Sequence, residues 1–294
     1  MPCGPGTFMP RWRTLPGSSS AVRADAVARR RPERVRLDQL MVTRGLARSR
    51  ERARALLMSG VVRLDGRPAG KPGSTVSTDV ELSLIEPDHP YVGRGGVKIE
   101  GALDRLGVDP TARVVLDIGA STGGFTDCLL RRGATRIYAL DVGVGQLDWS
   151  LRNDPRVVPV EGKNARYLQP DELPEPVDLI VVDVSFISLR LILPVLPALL
   201  KEHGEALLLV KPQFEVGRRE VGQGGIVREP GKHRAVLDLI AGAAGDHGFR
   251  VAGGCAAPIR GAEGNQEFFL HLHRGAPISA TALERILGGM VDGE

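Results

Sequence analysis

An α/β fold with a mostly parallel sheet, preceded by a small α+β module, is the architecture this sequence predicts. Three observations carry that expectation. From Val114 onward, short and almost wholly apolar segments alternate with longer amphipathic ones, the pattern of a parallel sheet covered by helices on both faces. A glycine-rich turn, in LDIGASTGGF, follows the first apolar segment. Ahead of the break at Pro87 to Pro90 lies an arginine-rich stretch with helical periodicity.

The chain has 294 residues, 42% hydrophobic and 25% charged, ordinary for a globular protein of one or two domains. The net charge is only +4, but between Arg23 and Arg67 there are 13 arginines and no lysine against 5 acids. A polyanion is the natural partner of such a stretch. Cysteines at positions 3, 128 and 255 are too scattered for a zinc site or a redox pair. No apolar run approaches the ~20 residues needed to span a bilayer. A cytoplasmic, monomeric protein without a membrane partner is expected. Residues 1–33 mix Pro, Gly, Ser and Arg without apolar periodicity and read as a disordered extension.

The module is expected over residues 34–86. Leu37, Leu40 and Met41 have helical spacing ahead of Gly45; Ser49 can cap a second helix whose inner face is Ala53, Leu56 and Leu57 and which Gly60 stops. Strands are expected at Val61 to Leu64, Thr75 to Ser77 and Val80 to Ile85, with a turn at Asp65-Gly66. The run RLDQLMVTRGLARSRERARALLMSGVVRLDG resembles an S4 RNA-binding domain, and Arg36, Arg48, Arg50 and Arg54 become the candidates for phosphate contact.

After a linker over residues 87–97, the α/β domain is expected over 98–275, followed by a tail, 276–294, holding a short helix. Ile99, Ala102, Leu103 and Leu106 make an amphipathic stripe with Lys98 in the first turn, where its charge opposes the helix dipole. Strands are expected at Val114 to Leu116, Arg136 to Leu140, Val157 to Val160, Leu179 to Val182 and Ala206 to Val210. Phe249 to Ala257 and Gln266 to His273 are expected to pair antiparallel. Helices are expected at Ile187 to Leu200, Lys232 to Ala244 and Ala280 to Met290.

The spacing Asp117-x-Gly119-x-x-x-Gly123 is not that of the dinucleotide fingerprint. It resembles motif I of S-adenosylmethionine-dependent methyltransferases, which implies a seven-stranded, Rossmann-like class I methyltransferase fold. That resemblance also implies cofactor contacts from Asp117, Gly119, Ala120, Ser121, Gly123 and Gly124. In an open α/β sheet, ligands bind beyond the carboxyl ends of the strands. Asp141, Asn164, Asp183 and Lys211 follow the second to fifth strands there; a carboxylate at 141 suits ribose hydroxyls and an amide at 164 an adenine.

The fourth strand is followed by Asp183-Val-Ser-Phe rather than the Asn/Asp-Pro-Pro-Tyr type motif of amine methylation. No cysteine between 128 and 255 could serve as a C5 nucleophile, and three clustered cysteines for an iron-sulfur centre are also absent. A hydroxyl acceptor survives. Methylating a ribose 2′-hydroxyl calls for a base, and a buried lysine beside another cation gives up its proton more readily. Lys98 and Lys211 would act on each other in this way, with Asp183 and Glu267 offsetting part of the effect. No metal is needed; the pair His271-x-His273 reads as alternate positions on one strand face. By pattern alone Glu267 is a solvated strand carboxylate.

The order Lys98, Asp183, Lys211, Glu267 is similar to the catalytic tetrad of FtsJ-like ribose 2′-O-methyltransferases. With VGRGGVK, LDIGASTGGFTD, DVGVGQLDWSLRNDPRV, VDVSFISL, LVKPQFEVG and GNQEFFL, the chain closely resembles the TlyA family, also called haemolysin A. The match spans about residues 35 to 275, with Gly93 where relatives often carry serine. The resemblance implies a ribosomal RNA cytidine 2′-O-methyltransferase using S-adenosylmethionine, with Lys211 the preferred base. The extensions at both ends resemble those of members that act on both ribosomal subunits. Competing readings are a membrane-active haemolysin, an inactive S4-type RNA-binding protein and a nucleotide-dependent oxidoreductase.

Overall fold

The computed structural model describes residues 34–291 except 48, 59, 85–88, 218, 219, 262 and 263. The expected extension at 1–33 lies outside these residues, as does Arg48. The module begins with β1 (Arg34–Arg36), a strand the helical pattern had concealed, then α1 (Leu37–Thr43) and α2 (Arg50–Met58). Ser49 does cap α2, its Oγ accepting from Arg52 N at 3.2 Å. The short strands β2 (Val62–Leu64), β3 (Arg67–Pro68), β4 (Thr75–Ser77) and β5 (Leu82–Leu84) complete it as two small sheets, β1-β4 and β3-β2-β5. Leu37, Met41, Ala53, Leu57 and Val62 fill a core of their own, with Leu56 at its partly buried edge.

The α/β part opens with α3 (Gly95–Leu106), ended by Gly107 in the left-handed conformation, and β6 (Val114–Ile118). There follow α4 (Gly124–Arg131), β7 (Arg136–Asp141), α5 (Trp149–Arg152), β8 (Val157–Glu161) and β9 (Val177–Val182). The helix expected over Ile187 to Leu200 is not formed. Two 3₁₀ turns, Leu189–Leu191 and Leu193–Val195, and a single α turn, α6 (Leu196–Leu199), take its place. Pro194 and Pro197 remove amide donors, so no continuous ladder can form. The apolar residues are buried all the same, Leu189, Ile192, Leu193 and Leu196 among them.

The chain then forms β10 (Leu200–Val210), α7 (Pro212–Glu215), α8 (Pro230–Asp246), β11 (Phe249–Ala256), β12 (Phe268–Arg274) and α9 (Ala280–Val291). The sheet order is β11-β12-β10-β9-β6-β7-β8, with β12 antiparallel to both neighbours. Two apolar layers cover its faces. Leu287 and Met290 of α9 are buried in one of them, so the tail helix is part of the sheet's cover.

Two consequences position the site. The chain runs from β6 outward to β8 and returns to the other side of β6 as β9, so β6 and β9 flank the switch point. Because β12 runs against β10, its first residues reach the edge where the parallel strands end.

Candidate active site and nucleic-acid interface

Beyond β6 the chain turns sharply. Gly119 has φ +87°, and a Cβ there would lie 2.3 Å from the carbonyl oxygen of Asp183, so only glycine lets the ends of β6 and β9 meet so closely. Gly124 is pressed against the start of α3, where a Cβ would lie 3.1 Å from Gly95 Cα. Much of the glycine requirement at this turn is therefore chain against chain.

Two cavities adjoin this turn and share Gly119, Ser121, Asp183 and Met58 among their walls. The smaller, about 150 Å³, is lined by Lys98, Arg94, Ala120, Thr122 and Gly124. The larger, about 410 Å³, is mainly apolar, with Ile118, Leu140, Val142, Ile187 and Ile192 in its walls and Asp141 and Asn164 among its polar groups. Asp141 is held in place by accepting from Ser121 N at 2.8 Å and Gly143 N at 2.7 Å. Asn164 accepts from Arg166 N at 3.1 Å.

Asp117 and Gly123 do not line either cavity. A Cβ on Gly123 would meet Leu151 Cδ1 at 2.2 Å. Asp117 is fully buried, accepts from Thr126 Oγ1 at 2.6 Å, and has its other oxygen unpaired. Burial pushes it up to about 7, the Thr126 hydrogen bond opposes that, and the charges of Asp183 and Asp141 add to it.

The four residues of the expected tetrad form two ion pairs. Lys98 Nζ donates to Glu267 Oε2 at 2.6 Å, across 169 residues of chain. Lys211 pairs with Asp183 and donates to Ser185 Oγ at 3.1 Å. Both lysines and Glu267 are buried. Glu267 lies just ahead of β12, and its burial against Lys98 replaces the solvated position its local pattern indicates. The same pairing offsets the unfavourable placing of Lys98 at the start of α3.

Sequence reasoning overlooked several residues that hold these groups. Glu215 accepts from Ser188 Oγ at 2.5 Å and Leu189 N at 2.8 Å, tying α7, which follows β10, to the start of the 3₁₀ turn that follows β9. Asn265 accepts from Val227 N at 2.9 Å and donates to Gly225 O at 2.9 Å, fixing the approach to Glu267. Phe186 is 90% exposed with φ +65° and lies 5.0 Å from the Phe214 ring. A bulky residue in that conformation is rare enough to have been a signal only once the backbone was seen.

On the module, Arg36, Arg50 and Arg54 converge on one buried carboxylate. Asp38 Oδ2 lies 2.8 Å from Arg36, 3.3 Å from Arg50 and 3.3 Å from Arg54. The Arg36 hydrogen bond, against the cost of burial, holds Asp38 far below the usual carboxylate range, with Arg50 and Arg54 assisting. The guanidinium side chains remain about half exposed, 44–49%, so they form an ordered basic surface. From the same helix, Arg52 reaches Asp148 at 2.7 Å, and Met58 contributes to both cavities, which brings the module against the cleft.

A seven-stranded sheet with a glycine cleft at its switch point and paired lysines and acids on its rim is the frame of a methyltransferase. The family model for FtsJ-like methyltransferases matches residues 91–274, and that for the S4 domain matches residues 35–82. The chain belongs to the FtsJ-like methyltransferase family, in its S4-bearing TlyA branch. It is 47% identical over 240 residues, 81% of this chain and 90% of the relative, to the 16S/23S rRNA (cytidine-2′-O)-methyltransferase TlyA of Mycobacterium tuberculosis. Hemolysin A of Brachyspira hyodysenteriae is 38% identical, over 81% of this chain and 99% of that one. A solved structure from Streptococcus thermophilus, bearing a provisional hemolysin name, matches with a TM-score of 0.68 and 40% identity, covering 89% of this chain and 96% of the other.

Proposed function

We propose that this protein transfers a methyl group from S-adenosylmethionine to the ribose 2′-hydroxyl of a cytidine in ribosomal RNA. The observation that carries the reading is the two ion pairs, Lys98–Glu267 and Lys211–Asp183, with both lysines buried, set beside the glycine cleft. Names of relatives support the acceptor.

The larger cavity fits a nucleoside: apolar walls suit a purine, Asn164 its edge, and Asp141 the ribose hydroxyls. When bound, S-adenosylmethionine supplies an electrophilic methyl group. Asp183 and Gly119, common to both cavities, would lie beside such a ligand. In its uncharged form Lys211 Nζ would take the proton of the 2′-hydroxyl and leave the oxygen free to accept the methyl group that S-adenosylmethionine would supply. Asp183 and Ser185 aim Lys211, while Glu267 holds Lys98. Charge is neutralised along the reaction, which a site with little water favours.

The ordered arginines of the module would grip RNA phosphates, and exposed Phe186 at the mouth of the larger cavity offers a face for an unstacked base. Some relatives carry hemolysin names, but among the described residues no helix is long and apolar enough to cross a membrane.

The test is transfer of labelled methyl from S-adenosylmethionine to separately purified, unmethylated 30S and 50S subunits, followed by nucleoside mass spectrometry. Wild type should yield 2′-O-methylcytidine, and Lys211→Ala should bind the cofactor but yield none. Cofactor binding by wild type without labelling of either subunit would overturn the ribosomal assignment.

A further inference from the structure

At the edge of the sheet opposite the cleft, three side chains gather that the proposed reaction does not use. His271 and His273 alternate along β12 and so share one face, and Glu205 of β10 stands directly opposite His273. Both imidazole Nε2 atoms are aimed at the same carboxylate oxygen: Glu205 Oε2 lies 2.5 Å from His271 and 3.3 Å from His273. One donor atom from each residue lies within 4.8 Å of the others. Glu205 and His271 are buried, and His273 is about one-third exposed. Arg113 donates to the other oxygen, Oε1, and so turns Oε2 toward the two rings. The cluster faces an open cavity of about 890 Å³, which His203 also lines.

Two imidazole nitrogens converge on one carboxylate oxygen, which can accept from both. The same convergence is also what a metal donor set requires. Two imidazoles and one carboxylate, with a solvent-facing fourth position, are a familiar donor set for zinc. On a tetrahedron with bonds of about 2.0–2.1 Å the donors stand about 3.3 Å apart, so modest rotations of three side chains would suffice. A guanidinium on the non-ligating oxygen is the kind of outer contact that orients a metal-binding carboxylate.

We propose that Glu205 Oε2, His271 Nε2 and His273 Nε2 bind one divalent transition-metal ion of the zinc type, with the fourth position open to solvent. The site joins β10 to β12. His271 is four residues from Glu267 along the strand, about 13 Å, so the ion braces the strand that delivers Glu267 and takes no part in methyl transfer.

The test uses the full chain, freed of any histidine tag and stripped with a chelator, titrated first with Co²⁺ alone and then with Zn²⁺. One equivalent of Co²⁺ should bind with the strong visible absorption of a low-coordinate site, and Zn²⁺ should displace it and raise the Tm. His271→Phe/His273→Asn should weaken binding at least about 100-fold. His273→Asn alone, at a partly exposed position, serves if the double variant does not fold, and should also weaken it. Lys211→Ala should bind as wild type does. Absence of stoichiometric binding by wild type, or binding undiminished in the folded variants, would overturn the proposal and leave the cluster as a hydrogen-bond network.

Discussion

Two aspartates in this molecule are equally hidden from water and behave in opposite ways. Asp38 of the S4 module and Asp117 of the catalytic domain are both 0% exposed. Asp38 has three arginines and is held strongly ionised, whereas Asp117 has one threonine hydroxyl and is pushed up to about 7. Zero exposure alone therefore does not dictate the charge of a carboxylate: Asp117 lies deep in its domain and burial dominates there, whereas Asp38 is covered by three arginines whose hydrogen bonds and charges outweigh it. The rim of the cleft shows a third solution, in which cation and carboxylate are buried together, as in Lys98 with Glu267.

The rim is where removing one partner costs most. Glu267→Ala leaves Lys98 buried without a counter-charge, and the expected loss of stability is about 3–5 kcal/mol, as for other broken buried pairs; chemical denaturation would measure it. Asp38→Asn should cost less, about 2 kcal/mol, since the three arginines it releases can turn to water.

Acid sensitivity separates the two aspartates further. The folded-state value of Asp38 is depressed, so its stabilisation is present above about pH 4, its unfolded value, and is lost as pH falls through that range toward the folded value. Asp38→Asn should therefore flatten the acid limb of a Tm-against-pH curve. Asp117 has the reverse sign. The folded state keeps a proton that the unfolded chain gives up, so stability falls as pH rises from about 4 to about 7 and is level beyond. Asp117→Asn should remove that decline, and its Tm relative to wild type should be higher at pH 8 than at pH 5. A constant difference across the range would contradict the assignment.

The smallest expected effect is on RNA. Arg50→Ala removes one half-exposed guanidinium from the group around Asp38. If it contacts a phosphate, the slope of log affinity against log salt should fall by about 1 with little dependence on RNA sequence. An unchanged slope would place Arg50 as a partner of Asp38 alone.

What could be read along the chain was whatever depends on near neighbours. Val114 to Gly124 announces strand, turn and helix because apolar runs and glycines are local signals. The Ser49 cap and the antiparallel last strands were legible for the same reason. The chain order Lys98, Asp183, Lys211, Glu267 was enough to nominate four residues through a family resemblance. Local pattern failed where a second signal was nested inside the first: Leu189 to Leu199 keeps apolar spacing while Pro194 and Pro197 forbid the helix.

Only the tertiary structure could decide which charges meet. Lys98 and Glu267 are 169 residues apart, and periodicity assigns Glu267 to solvent. Nothing between Arg36 and Arg54 declares that three arginines would turn toward Asp38. Likewise, His271 and His273 read as strand spacing until β10 delivers Glu205 between them. Secondary structure follows from steric and hydrophobic rules within a few residues, and the sequence states these directly. Burial and electrostatic partnership depend on which distant segments the sheet brings side by side, and that information appears only when the chain has closed on itself.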